Sequence, residues 1–573
     1  MFGEWKNKSD QSVKDKNQWK IDNMFRPDSE KYSTGNKRQQ QLTNSIIQNL
    51  IISMGLPMSI VDHVSFKKFM NDVDPKYKCI NHRNLTRSYL PILQKKCVVK
   101  LQEICAQSSY ASLTLDVWSD RRMRSYFGII LHVIINDEYR SFLLSFEQLE
   151  GNHAGDKLAA EFDRVIQLYN LNNKIVRLIT GNTNNNLAAF DNIVLPGFED
   201  DFDVTTGDQS ESDSNDELSD ENAGGNAQQL HACEVDDSVY QATLKPTTEE
   251  EFLRLPCFCH SLQLVVNDGI KSSGQALSCL KKVASLAKFA HTSTLFAERL
   301  EKKNDLILNS RDRNILEEFV SLFELFNEAT VLIRGESYAT VSLVAPIVLG
   351  ILFDLEHELN SSTLILVSLC KTLISSLKAR FSGLLRQFEI DVPNSSYCTS
   401  ERFSDAIFII SSLLDPRFKL LWLDNLDTVV KVRVLEKIRI AFVRFFSKLT
   451  FYTAHNAGAD TSNATESTDV FVGTKDNDSS TKRITSDDKL KILMELDAYL
   501  CEESREEDLL FSKKHIYPRL YQLALKYLTV PATSAPIRRV FSQSGFLMRP
   551  HRASLTEKNV CVLSFLKCNK VLL

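Results

Sequence analysis

Long apolar runs are missing from this sequence. A membrane-spanning helix needs about 18 or more consecutive apolar residues, and the strongest candidate, Val341 to Phe353, is shorter and broken by Pro346. The opening residues, MFGEWKNKSD, lack the apolar core of a secretory signal, so neither a membrane partner nor a secretory route is expected. Cysteine is sparse: twelve residues in the whole chain, scattered from Cys79 to Cys568, have none of the density of a disulfide scaffold, and free thiols in a reducing compartment are expected. Zinc ligands are absent from the N-terminal stretch, where the first His is His63 and the first Cys is Cys79, which excludes a Cys/His finger there. No repeat of about 20 to 50 residues is visible, which argues against a solenoid or propeller.

What remains is the composition of a soluble globular protein: 573 residues, 43% hydrophobic and 25% charged. At roughly 150 residues per domain, about three or four units are expected. The net charge of -5 conceals an asymmetry. Glu199 to Asn222 holds eleven acids and no base, and without it 62 acids face 68 bases. The last 43 residues, from Pro531, carry seven Lys or Arg against the single acid Glu557, a tail fit for an anionic partner or for an ordinary solvated face.

Changes of period divide the chain. Residues 1–41 are polar and form a flexible leader. Residues 42–108 have helical periodicity, with Ile46, Leu50, Ile51 and Met54 on one face and a stop at Gly55 and Pro57. From 109 to 195 the period shortens. Tyr110–Trp118, Ser125–Ile135 and Tyr139–Phe146 are β-branched and aromatic, and Asn136, Asp137 and Glu138 supply a turn. An amphipathic helix marked by Leu158, Phe162, Val165, Ile166 and Tyr169 then leads to the strand Ile175–Thr180, which a crossover places parallel to its neighbour in a mixed sheet. Residues 196–250 are an acidic disordered loop, 251–452 a helical domain, and 453–489 a second polar linker. In 490–573 three helices are expected, the last opened by a capping box of Ser554 and Glu557.

Seven collinear blocks resemble the hAT superfamily of cut-and-paste DNA transposases, particularly the vertebrate BED-finger proteins derived from them. They are SLTLDVWSDRRMRSYFGIILHVI (Ser112–Ile134), ITGNTNNNLAAF (Ile179–Phe190), LPCFCHSLQLVVNDGI (Leu255–Ile270), GESYATVSLVAPIV (Gly335–Val348), SSLLDPRFK (Ser411–Lys419), YPRLYQLALKYLTVPATSAPIRRVFSQSG (Tyr517–Gly545) and ASLTEKNVCVLSFLKCN (Ala553–Asn569). The resemblance implies an α/β fold: an RNase H-like mixed sheet interrupted by a large all-α insertion domain, with an N-terminal helical unit and a C-terminal hAT dimerisation segment. It also implies two-metal phosphoryl transfer on three carboxylates. The first acid survives as Asp116. The second, in a T-D-N-x-x-N motif, is Gly181 here; the third, in S-A-P-S-E-R-x-F-S, is Arg538. No catalytic set is therefore intact, no bound metal or cofactor is expected, and a salt bridge between Arg538 and Asp116 is expected in its place.

Three further readings follow. Cys257 and His260 give two metal-capable side chains without a second pair at finger distance, which favours packing or hydrogen bonding, and His132 inside an apolar strand reads as a core histidine. Phe541, Val560, Leu563, Phe565 and Leu566 are candidate dimerisation residues, because the resemblance puts dimer contacts in this segment. Arg539, Arg549, Arg552 and Lys567 are candidate phosphate contacts for weak, non-specific DNA binding. The expected function is that of a domesticated, catalytically inactive, nuclear homodimer acting on DNA, chromatin or transcription. Its alternatives are a protein-interaction scaffold without DNA affinity, and an active transposase or nuclease with a rearranged metal site.

Overall fold

The computed structural model describes residues 31–119, 124–149, 154–180, 254–292, 308–361, 364–392, 403–458, 486–548 and 555–573. The acidic stretch, Gly181, Arg549, Arg552 and Ser554 lie outside them. Two compact units are present, one formed by Met1–Lys100 with Ser542–Leu573 and the other by Leu101–Phe541.

In the first unit, helix α1 (Lys37–Ser45) begins within the stretch expected to be leader. Its start is fixed by Asn36, whose Oδ1 accepts from the Arg38 and Gln39 amides at 2.8 and 3.3 Å. The helix continues as a π-helical stretch, Ile46–Ser53, and stops at Gly55, whose φ of 68° is accessible to glycine at little cost. α2 (Val64–Val73) follows. The helical turn His82–Asn84 and the π-helical stretch Leu85–Tyr89 then run into α3 (Leu90–Gln107).

The second unit is built on one five-stranded mixed sheet of β1 (Ala111–Ser119), β2 (Ser125–Ile135), β3 (Glu138–Leu149), β4 (Ile175–Thr180) and β5 (Arg254–Pro256), in the order β3-β2-β1-β4-β5. β1, β2 and β3 pair antiparallel, while β4 pairs parallel with both β1 and β5. The β2–β3 turn places Asn136 and Asp137 at φ 51° and 65°, the left-handed conformation of a two-residue hairpin, which Asn and Asp tolerate better than other side-chain-bearing residues. β2 is buried without interruption from Tyr126 to Ile134, so both its faces are covered and its text is nearly all apolar. Helix α4 (Ala154–Leu168) buries Phe162, Val165 and Ile166 and packs on β3.

The stretch from residue 251 is not wholly helical, because it opens with β5. Three residues that include a proline carry no legible period, and β5 becomes a strand only by pairing with β4. Helices α5 (Phe258–Ser272), α6 (Gly274–Thr292), α7 (Ser310–Ile333), α8 (Val344–Asn360), α9 (Val367–Arg380), α10 (Ser382–Gln387), α11 (Ile407–Leu414) and α12 (Thr428–Gly458) follow. Phe258, Phe381, Phe403 and Phe408 form a chain of rings with centroids 5.4, 4.6 and 5.2 Å apart. A buried ion pair ties the sheet to this layer: Arg177 of β4 donates Nε and Nη2 to the two Asp405 carboxylate oxygens at 3.0 and 3.2 Å. α12 continues to Gly458, beyond residue 452, where the helical stretch was expected to end.

The chain closes with α13 (Ser486–Cys501), α14 (Leu509–Ser512), α15 (Pro518–Tyr527), α16 (Ala535–Leu547) and α17 (Glu557–Cys568). Glu495 of α13 caps α15, its Oε1 accepting from the Arg519 and Leu520 amides at 2.8 Å each. The expected capping box is overturned: α17 starts later, with Thr556 as N-cap and no side-chain cap bond, so Glu557 is the first helical residue instead of the third. Among the described residues no helix is long and apolar enough to cross a membrane, and the ten described cysteines are free thiols.

Candidate functional site

Alternation along β1 sends Ser112, Thr114, Asp116 and Trp118 to one face of the sheet and Leu113, Leu115 and Val117 to the other. Ser112, Thr114 and Asp116 are buried, and buried polar groups need partners. The Ser112 hydroxyl meets that of Thr529 at 3.3 Å, and Thr114 Oγ1 lies 2.8 Å from His132 Nε2. The other ring nitrogen of His132 is 2.9 Å from Ser141 Oγ and 3.1 Å from Tyr139 Oη. Complete burial pushes the His132 pKa down to about 3, because the low-dielectric interior disfavours the cation. His132 is a core histidine with its polar atoms satisfied.

Gly128 of β2 stands opposite Asp116 in the register. A Cβ there would come within 2.4 Å of Ile537 Cδ1 and 3.4 Å of Phe541 Cε1, so the missing side chain is what lets α16 lie directly on the sheet. The Phe541 ring stacks on Trp118 with centroids 5.8 Å apart and touches Phe146 at 6.2 Å, while Tyr126 stacks on Phe146 at 5.4 Å. This aromatic seat fixes the first turns of α16 and carries Arg538 to the carboxylate: Arg538 Nε lies 3.5 Å from Asp116 Oδ2. The expected salt bridge is present. Asp116 is enclosed, its side chain 4% exposed, whereas Arg538 is 46% exposed. Asp116 Oδ1 also accepts from the Val117 amide at 2.9 Å.

The segment before α16 closes the face. Thr529 to Ser534 are buried, and Cys257, at the start of α5, receives them. Its Sγ lies 3.4 Å from Thr533 Oγ1 and accepts from the Ser534 amide at 3.4 Å, a hydrogen-bonding and packing role. Burial pushes the nearby Cys259 thiol up to about 11, even though Arg334 and Arg538 pull it the other way. Among the described residues no group of three or more His, Cys, Asp or Glu is placed to hold a metal ion. Two-metal sites are built from converging carboxylates; among the described residues the Asp116 carboxylate is paired with the Arg538 guanidinium.

Arg539 turns away from Asp116 to pair with Glu336 and the Arg334 carbonyl. In the other unit, Lys567 lies over the Phe546 ring at 5.9 Å. The five apolar residues expected at a dimer contact are buried in the chain itself: Phe541 is 5% exposed, and Val560, Leu563, Phe565 and Leu566 lie within an unbroken buried run from Val560 to Leu566. Two features went unseen in the sequence. Gly128 left a signal, a glycine inside an apolar strand; the partner of Arg177 left none, because Asp405 is 228 residues away.

Residues 495–569 match the hAT family C-terminal dimerisation region. Two maize (Zea mays) proteins, named as the AC and AC9 transposases, are each 24% identical over 243 residues. That stretch is 42% of this chain and 24% of each maize protein, so the match spans about a quarter of the relatives' length. A Talaromyces stipitatus protein named as the transcriptional regulator tpeD is 23% identical over 146 residues, 25% of this chain and 17% of its own. The chain thus carries a stretch that matches the hAT dimerisation region and, over 243 residues, is similar to the maize transposases.

Proposed function

We propose that this protein is a domesticated, catalytically inactive hAT derivative, a dimeric nuclear module that binds DNA or chromatin and regulates transcription. The observation that carries the reading is the Arg538–Asp116 pair at 3.5 Å. Two-metal phosphoryl transfer requires carboxylates to converge on two dications about 4 Å apart. A guanidinium keeps its positive charge at any physiological pH, so at this place it opposes the cations that the reaction needs. The resemblance puts a second lost acid at Gly181. An RNase H-like origin is supported by the sheet order β3-β2-β1-β4-β5 with the acid on its central strand. Self-association is proposed through residues 495–569, and a regulatory role accords with the name of the fungal relative.

The test pairs two assays on the purified chain. In the first, duplex DNA is incubated with Mg²⁺ or Mn²⁺ and scored for nicking and strand transfer. No product is expected from the wild-type chain; metal-dependent cleavage abolished by Asp116→Asn would establish an active enzyme instead. In the second, DNA affinity is followed through a salt series, with light scattering for mass. A dimer whose log affinity falls steeply with log salt is expected. A dimer without DNA affinity at moderate salt would identify a protein-interaction scaffold.

A further inference from the structure

At Gly128 and Gly269 a neighbour occupies the place of the missing side chain: a Cβ at Gly269 would come within 2.5 Å of Leu373 Cδ2, as one at Gly128 would meet Ile537. Gly350 has no such neighbour. It is exposed in the middle of α8, and a Cβ there would meet nothing within 4 Å, although glycine weakens a helix interior that alanine would strengthen. The space over Gly350 belongs to a groove of about 400 Å³ between α7 and α8 that Asn425 also lines. Its walls are apolar, with Leu325, Ala329 and Leu332 from α7 and Ile347, Ile351 and Phe353 from α8. Leu332 is half-exposed.

The charge around this groove has one sign. Glu328 and Asp354 line it and are exposed, and among the described residues neither has an ion-pair partner. From Asn314 to Ile333, α7 carries Glu317, Glu318, Glu324 and Glu328 and no Lys or Arg; α8 carries Asp354, Glu356 and Glu358 and no Lys or Arg. Glu318 accepts from the Ile365 and Leu366 amides at 2.9 and 2.5 Å, and Glu356 pairs with Lys378 at 2.8 Å. The two acids of the groove itself are left uncompensated.

We infer that this groove receives a cationic amphipathic helix of a partner protein, with Gly350 at the point of closest approach. Each wall, Leu325 to Leu332 and Ile347 to Asp354, rises about 10 Å. That is two turns of an incoming helix, enough for apolar anchors at i, i+3 or i+4, and i+7. A helix suits these walls because its backbone is bonded internally, whereas an extended segment laid on apolar side chains would leave N–H and C=O groups without partners. Bare backbone at Gly350 lets the incoming helix come nearer than a side chain there would allow. Charge selects the flanks: Lys or Arg beside the anchors meets Glu328 and Asp354, and acidic flanks are repelled. The inference does not depend on DNA binding.

The experiment presents the full chain to a displayed library of random 18-residue peptides, with counter-selection on Gly350→Leu; enriched peptides are resynthesised and their affinity read by fluorescence anisotropy. Gly350→Leu fills the groove, and the open space over this residue should let the fold accept it. Gly350→Ala is the milder version, expected to raise the urea midpoint while weakening the peptide less. Enriched peptides should carry apolar residues at helical spacing and a net positive charge. They should bind Gly350→Leu and the double variant E328K/D354K at least about tenfold more weakly than wild type. The control E317K/E436K, which makes the same charge change at exposed helical positions that do not line the groove, should keep wild-type affinity. If no peptide distinguishes wild type from Gly350→Leu, or if the enriched peptides are acidic or lack helical spacing, the inference is overturned. Equal affinity for wild type and E328K/D354K also overturns it. A fall in the mass of the chain on Gly350→Leu, read by light scattering, would make the occupant a second copy of this protein and would overturn it as well.

Discussion

Adding one methyl group at Gly128 should act as a wedge under α16. The new carbon would lie 2.4 Å from Ile537 Cδ1 and 3.1 Å from Ile537 Cγ1, with Phe541 Cε1 at 3.4 Å. Ile537 is fully buried, so it has little room to retreat. Overpacking of this kind costs about 1 to 3 kcal/mol, and the lower backbone entropy of alanine in the unfolded chain returns about 0.4 to 1 kcal/mol. Gly128→Ala should therefore destabilise the sheet unit by about 1 to 2 kcal/mol net. Ile537→Val deletes the closest atom and alone costs about 0.5 to 1.5 kcal/mol. In that background Gly128→Ala should cost less than about 1 kcal/mol, so the double-mutant cycle should show a coupling of about 1 kcal/mol that favours the pair. Urea unfolding followed by tryptophan fluorescence, to which the stacked Trp118 contributes, gives the four free energies. An equal cost of Gly128→Ala in both backgrounds would refute the claim that this contact seats the helix carrying Arg538.

Three further outcomes are expected. Arg177→Ala leaves Asp405 as an unpaired carboxylate in a site where both side chains are at most 3% exposed; it should cost about 3 to 5 kcal/mol, and a measured loss under 1 kcal/mol would show that water reaches the site. His132 has its folded pKa depressed to about 3 by burial, below an unfolded value of about 6.5, so the unfolded state takes up the proton first. Its contribution is complete above pH 6.5 and is lost as pH falls toward 3, at about 1.4 kcal/mol per pH unit. His132→Gln should flatten the stability profile between pH 6.5 and 5 by that amount, and an unchanged slope would assign the effect to other groups. Cys501 is exposed, whereas burial pushes Cys97 up to about 11 and Cys105 up to about 12. Thiol labelling at pH 7.5, mapped by mass spectrometry, should therefore modify Cys501 well before Cys97 or Cys105.

Periodicity located the elements whose own residues determine them. β2 and β4 occupy the residues expected, because unbroken apolar runs such as SYFGIILHVII fit strands covered on both faces. β3 runs three residues beyond Phe146, since Glu147, Gln148 and Leu149 are held by pairing with Phe127, Tyr126 and Ser125 and not by their own preference. α1 begins at Lys37 in text with almost no apolar face, where the usable signal was the capping residue Asn36. β5 was not legible, because its pairing partner lies more than 70 residues earlier. At the candidate site, the charge pair of Arg538 with Asp116 could be anticipated from what stands at two motif positions. The glycine that allows their approach could not be ranked above other glycines until α16 was seen to lie on it.

The cover over Trp118, Tyr126 and Phe146 has a bearing on how the protein is made. These residues leave the ribosome early, but Ile537 and Phe541, which close over them, are synthesised about 400 residues later. At about 5 to 20 residues per second the aromatic face waits roughly 20 to 80 s for its lid. Throughout that interval it is an adhesive surface on a nascent chain. Transcripts that stop short of the α16 codons would make it permanent, so premature termination here should produce insoluble polypeptide or a chaperone client and not a smaller working protein.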